Sequence, residues 1–281
     1  MLFSLKVKGY KALMMVFKLL GKIIPIAKPT LFTGAGSSLE LCTAIAQMGG
    51  KKLLIVTDAV LVKIGVLDAI KKTLDEQGIE YVIYDAIKPD PTYDQIETGH
   101  ALLKQHGCDA ILAVGGGSPI DAAKVINVIA TNDKPIAKLA GWFKVSHAGL
   151  PFYVIPTTAG TGSEVTFAAV VSDPETHKKT PVVDPKVVPM MAALDGTLMT
   201  GIPATITAET GMDALTHAIE AYISVNASVE TDRYAIAATR LIIENLPTAV
   251  ANGKDFAARQ NMALASCYAG MAFTKASLGY V

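Results

Sequence analysis

Short runs of consecutive apolar residues alternate along this chain with longer stretches in which apolar positions recur every three or four residues. The first pattern is that of a strand buried on both faces, the second that of an amphipathic helix. Lys52 to Thr57, Tyr81 to Tyr84, Ala110 to Val114, Phe152 to Ile155 and Met191 to Leu194 are the predicted strands. Between them lie Leu61, Ile64, Leu67, Ile70 and Leu74 at helical spacing, a helix following Pro91, and another over Ala122 to Ile129. Strand and helix taking turns, with no hairpin signal among the first elements, predicts an α/β domain built on a parallel, Rossmann-like sheet covered on both faces.

The pattern changes after Gly201-Ile202-Pro203. Only helical periodicity follows, over Ala204 to Ser224, Thr231 to Ala249 and Ala257 to Ala276, with turn signals at Asn245-Leu246-Pro247 and Asn252-Gly253. The expected organisation is an extension over 1–30, an α/β domain over 31–201 and an incomplete all-helical domain over 202–281. The final helix is so rich in small apolar residues (ALASCYAGMAF) that it should be packed on several sides. The chain stops soon after it, so an uncovered apolar surface is expected.

Composition narrows the classes. The chain has 281 residues, half of them apolar and 18% charged, the profile of a globular protein with a large core. Its formal net charge of zero offers no basic stripe for nucleic acid. Cys42, Cys108 and Cys267 form no CxxC pair, so reduced thiols and a cytoplasmic location are expected.

Before Glu40 the only charges are lysines, interleaved with Leu13, Met14, Met15, Val16, Phe17, Leu19 and Leu20. Six residues separate Lys11 from Lys18, short for a signal-peptide core and far short of a membrane span. A basic amphipathic helix lying on its own subunit or touching a membrane surface remains open.

The chemistry concentrates in three places. Gly115-Gly116-Gly117-Ser118-Pro119-Ile120-Asp121-Ala122-Ala123-Lys124 joins a buried strand to a helix. Glycines allow a tight turn and close approach of a ligand to backbone N–H groups. Ser118 is placed as an N-cap and Pro119 at the first helical position, so the helix N-terminus faces a ready pyrophosphate site. Pro156-Thr157-Thr158-Ala159-Gly160-Thr161-Gly162-Ser163-Glu164 follows another strand and supplies many hydroxyls. Asp213 and His217, four residues apart on a helix, project from one face and can grip one ion, although such a pair is commonly a local hydrogen bond.

Together these strings resemble the iron-containing (group III) alcohol dehydrogenase family: a GGGSxxDxAK signature, PTTAGTGSEV, and GMDALTHAIEAY. The resemblance runs from about residue 30 to the end, in family order. Glycerol dehydrogenase-like and dehydroquinate synthase-like relatives share the fold but match the last string less well. The resemblance implies an NAD-dependent, metal-dependent enzyme passing hydride between a small alcohol or aldehyde and the nicotinamide. Iron(II) is the implied metal, with zinc compatible by ligand type. It assigns Gly116, Gly117, Ser118, Asp121, Thr157, Thr158, Thr161 and Ser163 to the nucleotide cleft. It also sets Lys179 near the nicotinamide ribose, and Asp58, by itself readable as a helix cap, against the adenosine ribose. Asp90 stands where the family often has asparagine, and Lys275 also replaces a common asparagine. Asp213 and His217 become metal ligands, of which the family uses an aspartate and three histidines. Related sequences continue past the last residue into the third ligand, so a C-terminally truncated member, inactive alone, is expected. The other reading is a non-catalytic NAD-binding protein. His100, His106, His147 and His177 match no ligand position and read as surface or loop residues. Full-length relatives often pair, so a homodimer is open.

Overall fold

The computed structural model describes residues 27–176 and 178–278. The reading of the basic N-terminal helix, and that of His177, fall outside the described residues.

Six parallel strands form the main sheet, in the order β1-β9-β6-β4-β2-β3. They are β1 (Thr30–Thr33), β2 (Lys52–Val56), β3 (Glu80–Tyr84), β4 (Ala110–Gly115), β6 (Phe152–Pro156) and β9 (Met191–Leu194). Alternate residues of the central strands enter different cores. Leu54, Val56, Ile111, Ala113 and Val154 meet α4 (Tyr93–His106) and α5 (Gly117–Asn132) on one face. Leu53, Ile55, Leu112, Val114, Tyr153 and Ile155 meet α1 (Ser37–Gln47) and α3 (Asp68–Glu76) on the other. Burial on both faces is why these strands read as unbroken apolar runs.

Several elements differ from the expectation. The helical spacing from Leu61 to Leu74 is split into α2 (Ala59–Lys63) and α3, because Gly65 turns the chain at φ +77°. A second sheet, β5 (Gly141–Trp142), β8 (Lys179–Val183) and β7 (Ala168–Ser172), carries no obvious sequence signal. Its β7–β8 pair is antiparallel, and Pro181 sits within β8. The short α6 (Ile136–Leu139) leads into it.

Beyond Pro203 lie α7 (Ala204–Ile223), α8 (Val229–Ala251) and α9 (Phe256–Ala276). Ser228 and Thr231 form a reciprocal capping box that starts α8, and Asp255 caps α9. The expected turn at Pro247 is absent; α8 continues through it to Ala251. Alanine meets alanine where the three helices cross, at Ala218, Ala238 and Ala269 and again at Ala221, Ala235 and Ala272. That close approach buries the small-residue face of α9, as its composition suggested. The exposed apolar surface lies instead on the outer faces of α7 and α8, at Met212, Ile219, Tyr222, Ile236 and Ile243. Buried Arg259 ties α9 to the start of α7 and to the α8–α9 turn, donating to Thr207 Oγ1, Ile202 O and Gly253 O.

Candidate functional site

All six strands of the main sheet point the same way, so Asp58, Gly116 and Thr157 emerge along one sheet edge. From β2 the chain passes to β3 on one side and then returns to β4 on the other. This reversal opens a crevice above the strand ends, where ligands of open α/β sheets bind.

The glycine turn forms one wall. Gly116, in extended backbone, is the N-cap of α5, and no side chain caps the helix. Here the structure corrects the sequence reading: the helix starts at Gly117, which leaves Ser118 and Pro119 as its second and third residues rather than cap and first position. Pro119 still costs nothing, since the first turn's N–H groups have no helical partner. The uncapped N–H groups and the positive end of the dipole face the crevice.

The hydroxyl loop lies directly against this turn. A Cβ at Gly116 would stand 3.1 Å from Thr158 Oγ1, and one at Gly117 only 2.8 Å from Thr161 Cγ2. Thr157 N donates to Gly115 O at 3.0 Å. Thr157 is buried, while Thr158 and Thr161 are partly open. Asp121 and Ser163 are brought together: Ser163 Oγ donates to Asp121 Oδ1, and Val170 N donates to Asp121 Oδ2 at 2.8 Å. Both side chains are therefore engaged within the wall of the crevice.

Asp58 caps α2, its Oδ1 accepting from Val60 N at 2.9 Å and Leu61 N at 3.0 Å. It follows β2, beside the crevice, so capping and ribose binding are compatible uses of one carboxylate. Lys179 is paired with Asp90 at 2.9 Å, with both side chains 66% exposed. Asp90 holds a left-handed φ of +56°, which aspartate and asparagine tolerate better than most residues. The departure from asparagine thus places a carboxylate on the lysine expected at the nicotinamide ribose.

Two charged residues that the sequence reading did not assign are buried here, Lys124 on α5 and Glu164 at the end of the loop. Lys124 is fully buried and Glu164 is 2% exposed. Burial pushes the Glu164 carboxyl up to about 7 and pulls the Lys124 ammonium down to about 8, against the opposing fields of Asp121 and Glu164. Burial also raises Asp121, with Lys124 and the bonds from Ser163 and Val170 opposing it. A lysine among the apolar residues of α5, three after an aspartate, was the signal available.

On α7, His217 Nε2 stands 3.6 Å from Asp213 Oδ1. That exceeds hydrogen-bond range but suits two donors each about 2 Å from one ion, which stand roughly 3 Å apart. The ring packs on Phe273 of α9, its centroid 4.6 Å away. Its Nδ1 is buried without a hydrogen-bond partner. Imidazole and carboxylate suit a first-row divalent ion, and this pair fits as part of its ligand set. Among the described residues, no group of three His, Cys, Asp or Glu side chains completes a metal site. Two donors alone hold such an ion weakly.

The pair connects to the crevice through Thr210, one turn earlier on α7. A Cβ on Gly160 of the hydroxyl loop would meet Thr210 Cβ at 2.8 Å. The other histidines stay apart. His106 and His147 are exposed, whereas His100 is a partly buried helical residue of α4 rather than a surface or loop one, its Nε2 unpartnered.

A parallel sheet with a glycine turn at its reversal point, followed by helices carrying an Asp–His pair, defines a doubly wound α/β class of fold with a helical second layer. Comparison with known proteins gives the family. The sequence model of "Iron-containing alcohol dehydrogenase" matches residues 29–196, and that of the "Fe-containing alcohol dehydrogenase family, C-terminal" matches 207–281. The chain is 44% identical over 253 residues to the NAD-dependent methanol dehydrogenase of Bacillus methanolicus, covering 90% of itself and 66% of that protein. It is 46% identical over 236 residues to the 1,3-propanediol dehydrogenase of Klebsiella pneumoniae, covering 83% of itself and 61% of the relative. The solved alcohol dehydrogenase from Oenococcus oeni superimposes with a TM-score of 0.89 at 39% identity, over 91% of this chain and 68% of that one. This chain belongs to the iron-containing alcohol dehydrogenase family. It spans 66% and 61% of the length of the two curated relatives.

Proposed function

We propose that this chain carries the nucleotide cleft and two metal-binding side chains of an NAD-dependent, divalent-metal-dependent alcohol dehydrogenase. One observation carries the reading: the hydroxyl loop touches the glycine turn on one side and Thr210 of the Asp213–His217 helix on the other. Nucleotide and metal sites thereby share a wall. Bound there, the cofactor would supply a hydride acceptor and the ion, held in part by Asp213 and His217, would supply Lewis acidity toward an alcohol hydroxyl. This chain's residues bind and orient: the α5 N-terminus receives the pyrophosphate, Thr158 and Thr161 flank it, and Asp58 selects the ribose. Lys179 stands by the nicotinamide end, held by Asp90. The names of the relatives, methanol and 1,3-propanediol dehydrogenase, support a small alcohol or aldehyde as substrate. Three buried free cysteines suit a reducing compartment, and the cytoplasm is the proposed location. Among the described residues no helix is long and apolar enough to cross a membrane.

A second reading, an NAD-binding protein without turnover, is favoured by the two-donor metal pair. Alcohol-dependent NADH formation by the purified chain with added iron(II) or zinc separates them. Turnover that a chelator and His217→Ala both abolish supports the dehydrogenase. NAD binding with no turnover at any metal concentration supports the second reading.

A further inference from the structure

Lys124 is a fully buried charge whose hydrogen bonds all run to one segment. Its Nζ donates to Ser163 Oγ at 3.0 Å, Thr166 Oγ1 at 2.8 Å and Ala168 O at 2.7 Å. An ammonium has three N–H donors, and all three are used. The segment they hold is the outgoing arm of the hydroxyl loop, and the same loop packs its Thr158 and Thr161 on Gly116 and Gly117. Two glycines seat the loop on the helical layer as well. A Cβ on Gly160 would strike Thr210 of α7 at 2.8 Å, and one on Gly162 would strike Gly270 Cα of α9 at 2.7 Å. With no side chains at these two points, nothing at Gly160 or Gly162 itself fixes the loop's register on the helices. Lys124 supplies the directional bonds instead.

We propose that Lys124 is a positioning residue for the nucleotide cleft, its buried ammonium fixing residues 163–168 and so holding the hydroxyl loop against the glycine turn. The inference rests on the reading of that cleft as an NAD site. A neutral apolar side chain would pack in the same space at lower desolvation cost. The ammonium must therefore be accounted for by what it holds. Its charge is balanced by Asp121, 3.9 Å away on α5, and by Glu164 on the loop itself. Burial lowers its proton affinity, and these two charges oppose that. When Lys124 loses its proton near pH 8, two N–H donors remain for three acceptors, and the loop loses a tie. Glu164, pushed up to about 7, is ionised by then and favours the ammonium.

NAD titration by calorimetry of the whole chain, from about pH 6.5 to about pH 9.5, tests this. Wild type is expected to bind, with affinity falling several-fold above about pH 8. Lys124→Met is expected to weaken binding at least tenfold and to abolish that inflection. Thr166→Val, which removes one acceptor, is expected to weaken binding several-fold and to speed amide exchange over residues 157–166. Thr166→Ser should restore both, and this pair decides the matter should Lys124→Met fail to fold. Lys124→Met with wild-type affinity and pH profile overturns the positioning role, as does Thr166→Val with unchanged affinity and exchange. Wild type that binds no NAD at any pH overturns the nucleotide reading itself, and the role of Lys124 with it.

Discussion

Asp58 shows how much a single carboxylate does at this site. It follows β2, caps α2 through two backbone N–H groups, and on the proposed reading supplies the negative charge that repels a 2′-phosphate. The two effects separate by substitution. Asp58→Asn keeps a good N-cap but removes the charge, so stability should change by less than about 0.5 kcal/mol while preference for NAD over NADP falls at least tenfold. Asp58→Ala should lose both, costing about 1 kcal/mol of stability as well. Affinities for the two dinucleotides, measured beside thermal unfolding, check this. Unchanged discrimination in Asp58→Asn would remove the residue from the site. At this scale the sequence was informative about local structure: a glycine turn at a helix start and an aspartate capping the helix after a strand. It was silent on Lys124 and Glu164, because charged residues are ordinarily exposed and nothing local in a sequence marks their burial. It also misplaced the cap at Ser118, since the helix begins two residues earlier than its most helix-like cap residue suggests.

Among the elements, β2, β4, β6 and β9 were legible because burial on both faces writes an apolar run. β7 and β8 were not, since one is half-exposed and the other contains a proline. The helices after Pro203 were legible as periods, but their packing was not. Their contacts depend on alanines and glycines, which pattern analysis counts only as small apolar residues. Gly162 is the clearest case, with φ +61° and no room for a Cβ against α9. Ion pairing joins other elements. Glu230 on α8 accepts from Lys275 at the end of α9 and from Lys28 ahead of β1, each at 2.8 Å. These bonds, Lys275 first, hold the Glu230 carboxyl down at about 2. A depressed carboxyl stabilises the fold above its ordinary value near 4.5, and that contribution is lost as pH falls toward 2. With the side chain 44% exposed, solvent screening limits the gain to about 1 kcal/mol. Glu230→Gln should therefore be less stable than wild type at pH 6, with the gap closing below pH 4.5 and vanishing near pH 2. Urea unfolding across that range checks it, and a gap that persists at pH 2 would show that packing, not charge, is responsible.

At the scale of the molecule, the fold places the uncapped N-terminus of α5 and the helix carrying Asp213 and His217 on either side of one loop. The parallel sheet fixes the first, because every βα connection leaves from the same edge, and the reversal between β2 and β4 opens the crevice. The helical layer fixes the second through the seating of Gly160 on Thr210. Little of this juxtaposition is written in the spacing of the motifs, which lie about a hundred residues apart. It emerges only when the helical layer packs against the loop at the sheet's edge. Binding should also register as stability: a ligand present at a hundred times its Kd adds about 2.7 kcal/mol. The most direct test of the account is calorimetric titration of NAD into the 281-residue chain beside its Gly117→Val variant. Saturable one-to-one binding by wild type, reduced at least tenfold in a variant that still folds, is the result predicted. Absence of binding by wild type, or equal binding by a folded Gly117→Val, would contradict it.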